Sequence, residues 1–306
     1  MAPTIEKVTL GTRGSPLAML QTEEVRDKLM AANPGLLVDI VEIKVVGDQI
    51  QDRPLAEVGG KGLFTKELDR AVLDGRCDAA VHSMKDVETW LADGITLACL
   101  LEREDVRDAF LSPVAGSLAD LPVGARVGTA SLRRKAQILA QRPDVEVVLF
   151  RGNVQTRLRK LEERVADATL LAMAGLNRLG MAEVATKALA PEEMLPACAQ
   201  GAVGVTLATN RPDLAALFAP LNHEETAIRV HAERAFLDVL DGTCHTPIAG
   251  LAEVQGGTVR FRGLVAREDG ARVLTVERSG PVADAVALAR DAGAQLRAEM
   301  GDTFFD

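Results

Sequence analysis

Hydrophobic and polar positions along this chain switch repeatedly between a two-residue and a helical period. Lys7-Val8-Thr9-Leu10-Gly11 alternates as a short strand. Ser15-Pro16 then opens a helix, with a serine cap and proline at the first helical position. Leu17, Leu20, Val25 and Leu29 supply its apolar face, and Pro34-Gly35 ends it. Val38 to Val46 returns to the strand period, Leu63 to Leu73 is helical and stops at Gly75, and Asp78 to Val81 is a short buried strand. This β-α-β-α-β order predicts a mostly parallel sheet covered by helices. The pattern repeats: strand at Arg126 to Thr129, helix at Ser131 to Gln141, strand at Val145 to Phe150, helix at Val154 to Arg164, strand at Ala168 to Ala172. Gly204 to Ala208 is a further strand, free to return to the first sheet. Asn222 is expected to cap a helix running to about Leu240. Strands at Ile248 to Val254, Val259 to Ala266 and Val273 to Arg278 follow, and a helix over Val282 to Met300 closes the chain. The expected fold is therefore α/β: two α/β domains and a small C-terminal α+β domain. The boundaries expected are 1–101 with 202–219 for the first domain, 102–201 for the second and 220–306 for the third.

Composition narrows the class. The chain has 306 residues, enough for two or three domains, and a formal net charge of −9 that argues against a general nucleic-acid binder. No apolar run is long enough to span a bilayer, and Met1-Ala2-Pro3-Thr4-Ile5-Glu6-Lys7 lacks the regions of a signal peptide, so a cytoplasmic protein is expected. Cys77, Cys99, Cys198 and Cys244 form no C-x-x-C pair, and the histidines show no metal-ligand spacing with them, so neither a disulfide framework nor a metal site is expected. The first three fit buried small hydrophobes. Cys244 does not, because Asp241-Gly242-Thr243-Cys244-His245-Thr246-Pro247 is a run of loop formers.

The remaining motifs sit where open α/β sheets bind ligands, after the carboxyl ends of strands. Thr12-Arg13-Gly14-Ser15 follows the first strand, and His82-Ser83-Met84-Lys85-Asp86 follows the third. Thr129-Ala130-Ser131-Leu132-Arg133-Arg134 and Arg151-Gly152-Asn153 follow strands of the second unit. Two α/β domains would present these loops to a shared cleft. Between Arg126 and Arg178 stand eleven basic residues and five acids, in a protein that is acidic as a whole. Solvated helix faces account for Arg142, Arg159, Lys160 and Arg164. They do not account for Arg133, Arg134 and Arg151 at strand-to-helix turns, where arginine forks and helix N-termini suit carboxylate or phosphate. Gly59-Gly60-Lys61-Gly62 lacks the spacing of a nucleotide-binding P-loop. A lone loop cysteine, a carboxylate beside a cation and a concentration of arginines together point to covalent chemistry on a polyanionic substrate.

In these motifs the chain resembles the hydroxymethylbilane synthase (porphobilinogen deaminase) family, in order and over nearly its whole length. The resemblance is carried by Gly11 to Ala18, Gly59 to Phe64, Val81 to Asp86, Glu102 to Phe110, Gly128 to Arg134, Arg151 to Arg157, Ala174 to Gly180, Gln200 to Gly204 and the Cys244 loop. It implies two domains resembling a type II periplasmic-binding-protein pair, followed by a third. It implies a transferase that condenses four porphobilinogen molecules head to tail, with loss of ammonia, to the linear tetrapyrrole hydroxymethylbilane of heme biosynthesis. A dipyrromethane cofactor built from the same substrate is implied, held through a thioether to Cys244, with Asp86 as the catalytic carboxylate. Arg13, Lys85, Arg133, Arg134, Arg151, Arg157 and Arg178 match the family's cofactor- and substrate-binding cations, and Ser15, Lys61, Ser83, Thr129 and Ser131 match further contacts. The implied partners are porphobilinogen and the polypyrrole intermediates, with no nucleic acid and no membrane, and the chain is expected to be a monomer. Glu57 stands where many relatives have lysine, Thr243 where glycine is common and Glu88 where proline is common. A solute-binding protein would explain the two α/β patterns but not Cys244. A ligand-sensing regulator would bring a basic recognition helix, and none is evident.

Overall fold

Strands β1 (Lys7–Thr12), β2 (Leu37–Glu42), β3 (Ala79–Ser83), β4 (Ile95–Leu100) and β10 (Val203–Ala208) build the first sheet, in the order β2-β1-β3-β10-β4. The structure is a computed structural model that describes residues 5–49, 62–242, 246–301 and 304. The chain divides into two compact units, and this sheet belongs to the unit formed by described residues up to 49, 62–104 and 202–227. β1 pairs in parallel with β2 and β3, whereas β10 runs antiparallel to both β3 and β4. Alternation feeds two cores. Val8, Leu10, Ala79, Val81, Val205 and Leu207 pack with Val25, Leu29 and Phe218 on one face. Ala80 and Ile95 pack with Leu68, Val72 and Cys77 on the other. The helix Pro16–Ala32 begins as its sequence predicts, with Ser15 Oγ accepting from the Ala18 amide at 3.3 Å. The strand expected over Val38 to Val46 ends at Glu42, a short helix Val46–Gln49 follows, and the helix expected from Leu63 starts three residues later, at Lys66.

The second unit holds residues 105–201 and the chain from 228 onward. Its first sheet contains β5 (Asp108–Leu111), β6 (Arg126–Gly128), β7 (Glu146–Val148), β8 (Ala168–Ala172) and β9 (Lys187–Leu189), in the order β7-β6-β8-β5-β9. β6 is parallel to β7 and β8, and β5 is antiparallel to β8 and β9. Each five-stranded sheet thus has four strands running the same way and one strand antiparallel to the neighbours on either side of it. That odd strand, β5 or β10, is the first one the chain makes after leaving the other sheet. β10 takes the place in the first sheet that its sequence left open to it, whereas β4, β5 and β9 had no counterpart among the expected strands.

A three-stranded antiparallel sheet of β11 (Ile248–Gln255), β12 (Thr258–Ala266) and β13 (Val273–Pro281) completes the second unit. One face packs on Ala232 and Phe236 of the helix Glu224–Val239 and on Ala289, Ala292 and Leu296 of the helix Ala285–Met300. The rings of Phe236 and Phe261 meet at 4.9 Å between centroids. The expected cap at Asn222 is replaced by His223, whose Nδ1 lies 3.3 Å from the Thr226 amide, while Asn222 Oδ1 accepts from the Leu100 amide. The opposite face of the sheet places Ala249, Leu251, Leu264 and Ala266 against Ala136 and Leu195. Ala136 belongs to the helix Leu132–Gln141, which also carries Arg133 and Arg134. The turn between β12 and β13 seats on the same helix. Gly270, at φ +73°, lies so close that a Cβ would meet the backbone of Ala136 and Ala140. Lys135 Nζ pairs with Glu268 Oε1 at 2.5 Å beside it.

Two expectations follow. Gly270→Ala imposes both a left-handed backbone and a backbone clash, and should lower stability by about 1–3 kcal/mol in urea unfolding. An unchanged midpoint would show that this turn does not need its close approach. Burial pushes the Cys77 thiol up to about 11 and the Cys99 thiol up to about 12, so both stay protonated as well as enclosed. A thiol reagent at pH 8 should modify them on the order of 100-fold more slowly in the folded protein than in urea. Rapid labelling of either in the native state would contradict their place in the core.

Candidate functional site

β1 and β3 are parallel neighbours, with Leu10 opposite Ala79 and Gly11 opposite Ala80, so the loops after their carboxyl ends emerge side by side. That places Arg13 next to Asp86, with Nη1 3.5 Å from Oδ2. The Arg13 guanidinium also lies 4.3 Å from the centroid of the Phe64 ring, a cation–π contact that fixes its plane. Asp86 ends a short 3-10 turn, Met84–Asp86, that also carries half-buried Lys85. Met84 anchors the turn: its side chain is buried, its amide donates to Ala202 O at 3.0 Å, and its carbonyl accepts from the Val87 amide at 3.2 Å. Ser83 Oγ donates to Gln21 Oε1 at 2.9 Å. Gln21 was absent from the sequence expectations, although it stands with Leu17 and Val25 on one helical stripe, where a glutamine is out of place. Glu88 is buried, and its Oε1 accepts from the Gly62 amide at 3.1 Å. This departure from the family pattern therefore tethers the chain just after Lys61. Lys61 itself, like Glu57, Thr243 and Cys244, lies outside the described residues.

The second unit assembles the arginines. Thr129 is buried at the end of β6, and its Oγ1 accepts from the Ser131 amide at 3.1 Å. Ser131 caps the helix Leu132–Gln141, its Oγ accepting from the Arg134 amide at 3.4 Å. Arg133 and Arg134, each only 5% exposed, turn inward onto Asp108 of β5, which is completely buried. Arg133 Nη2 donates to Asp108 Oδ2 at 2.8 Å, and Arg134 Nη2 donates to Oδ1 at 2.7 Å. Gln200 Nε2 adds a third bond to Oδ1 at 2.9 Å. Burial alone would raise the Asp108 carboxyl, but the two guanidiniums and the hydrogen bonds from Arg134 and Gln200 outweigh it and hold the group well below the usual carboxylate range. Burial likewise lowers Arg133, and Asp108 offsets part of that cost. The Nε atoms of Arg133 and Arg134 are buried and have no hydrogen-bond partner among the described residues.

Arg151 is buried in the turn after β7. Lys160 Nζ donates to its carbonyl at 3.0 Å, Gly152 adopts φ +121°, and Asn153 caps the following helix by accepting from the Thr156 amide at 2.9 Å. Arg157 Nε donates to Gly152 O at 2.9 Å, and Arg178 Nη1 donates to Gly201 O at 3.3 Å. Two basic residues assigned to solvated faces prove structural. Arg142 donates to the carbonyls of Leu118, Ala119 and Leu121 and pairs with Asp144, while Lys160 supports the Arg151 turn. Gln137 brackets the Leu195 peptide, donating to its carbonyl at 3.0 Å and accepting from its amide at 2.8 Å, and the sequence expectations included neither it nor Asp108 nor Gln200. The available signal was an aspartate opening a strand whose other residues, Ala109, Phe110 and Leu111, are apolar and buried. Arg13, Ser15, Ser83, Lys85 and Asp86 thus belong to one compact unit, and Thr129, Ser131, Arg133, Arg134, Arg151, Arg157 and Arg178 to the other. No group of side chains suited to a metal ion occurs among the described residues.

Comparison with known proteins shows the family. Residues 8–216 match the family model described as porphobilinogen deaminase, dipyromethane cofactor binding domain, and residues 227–299 match porphobilinogen deaminase, C-terminal domain. The porphobilinogen deaminase of Paracoccus denitrificans is 54% identical, over 98% of this chain and 96% of its own length. The chloroplastic porphobilinogen deaminase of Oryza sativa subsp. japonica is 54% identical, over 99% of this chain and 86% of its own. The Nitrobacter winogradskyi enzyme of the same name is 52% identical, over 97% and 95%. Among solved structures, a periplasmic substrate-binding protein from Coxiella burnetii aligns with 72% of this chain and 94% of its own, at 15% identity and a TM-score of 0.44. The chain belongs to the porphobilinogen deaminase family, and is thus a dipyrromethane-dependent transferase that makes hydroxymethylbilane in tetrapyrrole biosynthesis.

Proposed function

We propose that Asp86 carries the condensation chemistry, that Cys244 holds the dipyrromethane through a thioether, and that the two sets of cations bind carboxylates of the cofactor and the growing chain. The observation that carries the reading is the pair of buried, unpartnered Nε donors on Arg133 and Arg134. A buried N–H without a partner is costly, and acetate and propionate side chains are the acceptors such donors need. The residues present therefore fit the group. Thr129, Ser131, Arg133, Arg134, Arg151, Arg157 and Arg178 would hold its carboxylates and those of added pyrrole units. Arg13, Ser15, Lys61, Ser83 and Lys85 would act beside Asp86. When bound, the dipyrromethane supplies the pyrrole carbon to which substrate is joined.

The chemistry assigned to the chain's own residues is electrostatic. When the aminomethyl C–N bond of porphobilinogen breaks, the bonding pair leaves with ammonia and positive charge spreads to the substrate's ring nitrogen. Asp86 would face that N–H as a hydrogen-bond acceptor, held by Arg13 and by the anchored Met84 turn. A fixed charge of this kind lowers the barrier by roughly 3–4 kcal/mol. Arg13 and the second set of arginines lie in different units, so successive chain lengths would use different forks. The reading extends to three domains, 1–101 with 202–219, 102–201 and 220–306, supported by the three sheets. It also takes the protein as a cytoplasmic monomer without nucleic-acid or membrane partners. The net charge of −9 argues against nucleic-acid partners, and no helix among the described residues is long and apolar enough to cross a membrane.

Intact mass should show an adduct of two pyrrole units on the wild type and none on Cys244→Ala; an adduct mapping to Cys77, Cys99 or Cys198 would sink the attachment. Asp86→Asn keeps the shape and removes the charge. Its turnover should fall on the order of 10²-fold or more while folding and adduct mass survive, and near-normal turnover would refute the role.

A further inference from the structure

Arg133 and Arg134 are consecutive residues in the first turn of a helix, where neighbouring side chains diverge by about 100° and do not face each other. Something outside the helix must bring their guanidiniums to one place. Asp108 does so from β5, giving one carboxylate oxygen to each arginine. The remaining terminal nitrogens are occupied as well. Arg133 Nη1 donates to Leu195 O at 2.7 Å, and Arg134 Nη1 donates to Leu170 O at 2.8 Å. Each guanidinium is therefore bonded at both Nη atoms, while its buried Nε has no partner among the described residues. The carboxylate is itself seated by Gln200, whose Nε2 also donates to Val106 O at 2.8 Å. Two cations sharing one anion leave the buried cluster with a charge of +1, an electrostatic demand for a further carboxylate.

We propose that Asp108, seated by Gln200, is a positioning residue for cofactor capture: it holds the Arg133 and Arg134 guanidiniums together in the arrangement that binds carboxylates of the dipyrromethane. This rests on the assignment of those two arginines to that group. Asp108 contacts no reacting atom. Its effect is on where the arginines point, and hence on whether the holoenzyme assembles.

The test uses the full chain in four variants: Asp108→Asn, Gln200→Ala, Arg133→Gln and Arg134→Gln. Intact mass gives the fraction carrying the two-pyrrole adduct, and circular dichroism with a thermal melt gives the folded fraction. At a temperature where the variant is folded, Asp108→Asn should carry less adduct by on the order of tenfold or more, the scale of one charge-assisted hydrogen bond. Raising porphobilinogen should restore the adduct, because concentration rescues weakened binding and does not rescue misfolding. Gln200→Ala, which keeps the carboxylate, should show a smaller loss of roughly two- to fivefold with the same rescue. Should Asp108→Asn fail to fold, Gln200→Ala decides by the same two readouts. Full adduct on folded Asp108→Asn, or on Gln200→Ala in its place, overturns the positioning role. A deficit that excess porphobilinogen leaves unchanged overturns it too. Full adduct on both arginine variants overturns instead the assignment of those arginines to the cofactor, whatever Asp108 does.

Discussion

Two guanidiniums buried in an α/β domain are tolerable only with a carboxylate between them. Removing an ion from water costs several kcal/mol, and a pair of like charges in a low-dielectric interior adds repulsion to that cost. Asp108 meets both demands with short, separate bonds to Arg133 and Arg134. Much of the surrounding fold is arranged to bring it there. β5 lies between β8 and β9, so its first residue reaches the N-terminal end of the helix Leu132–Gln141, and the carbonyls of Leu195 and Leu170 accept from the Nη1 atoms of Arg133 and Arg134.

The segment before β10 is part of the same arrangement. Leu195 is held through both its amide and its carbonyl by Gln137, Gln200 reaches Asp108, and Gly201 accepts from Arg178. Ala199, in a left-handed conformation at φ +60°, donates its amide to Glu233 at 2.6 Å, and Glu233 also accepts from Ala252. Glu233 lies on the helix Glu224–Val239, and the turn at Gly270 seats on the arginine helix. The sheet bearing the arginines and the C-terminal sheet thus form one compact unit with several independent ties. A cofactor attached from one and gripped by the other would need that rigidity, since a displacement of about 1 Å is enough to degrade a positioned contact.

Charge is allocated accordingly. Exposed pairs such as Lys7–Asp39 and Arg260–Glu277 contribute little individually, because water screens them. The expensive cations are few and turned inward, and several are completed by backbone carbonyls rather than acids. Arg142 shows the same tactic used for structure alone, stapling the chain around Leu118 to Leu121. An arginine at a helix end therefore signals a ligand site only when some of its donors stay open, as they do at Arg133 and Arg134.

By itself the sequence determined the α/β class, the Ser15 and Ser131 caps, the strand at β10, the buried character of Cys77, Cys99 and Cys198, and the ordered motifs that mark the family. These are legible because capping, periodicity and motif spacing are local. Only the tertiary structure decided that Asp108 joins Arg133 and Arg134 from 25 and 26 positions away, that Gln200 seats it from 92, and that Arg142 and Lys160 serve the fold rather than the solvent. It alone decided that β5 and β10 run against their neighbours, because strand direction follows from where the chain re-enters a sheet, and hydropathy carries no record of that. A buried charge has the same property: its cost is set by its neighbours, and those neighbours come together only when the chain has folded.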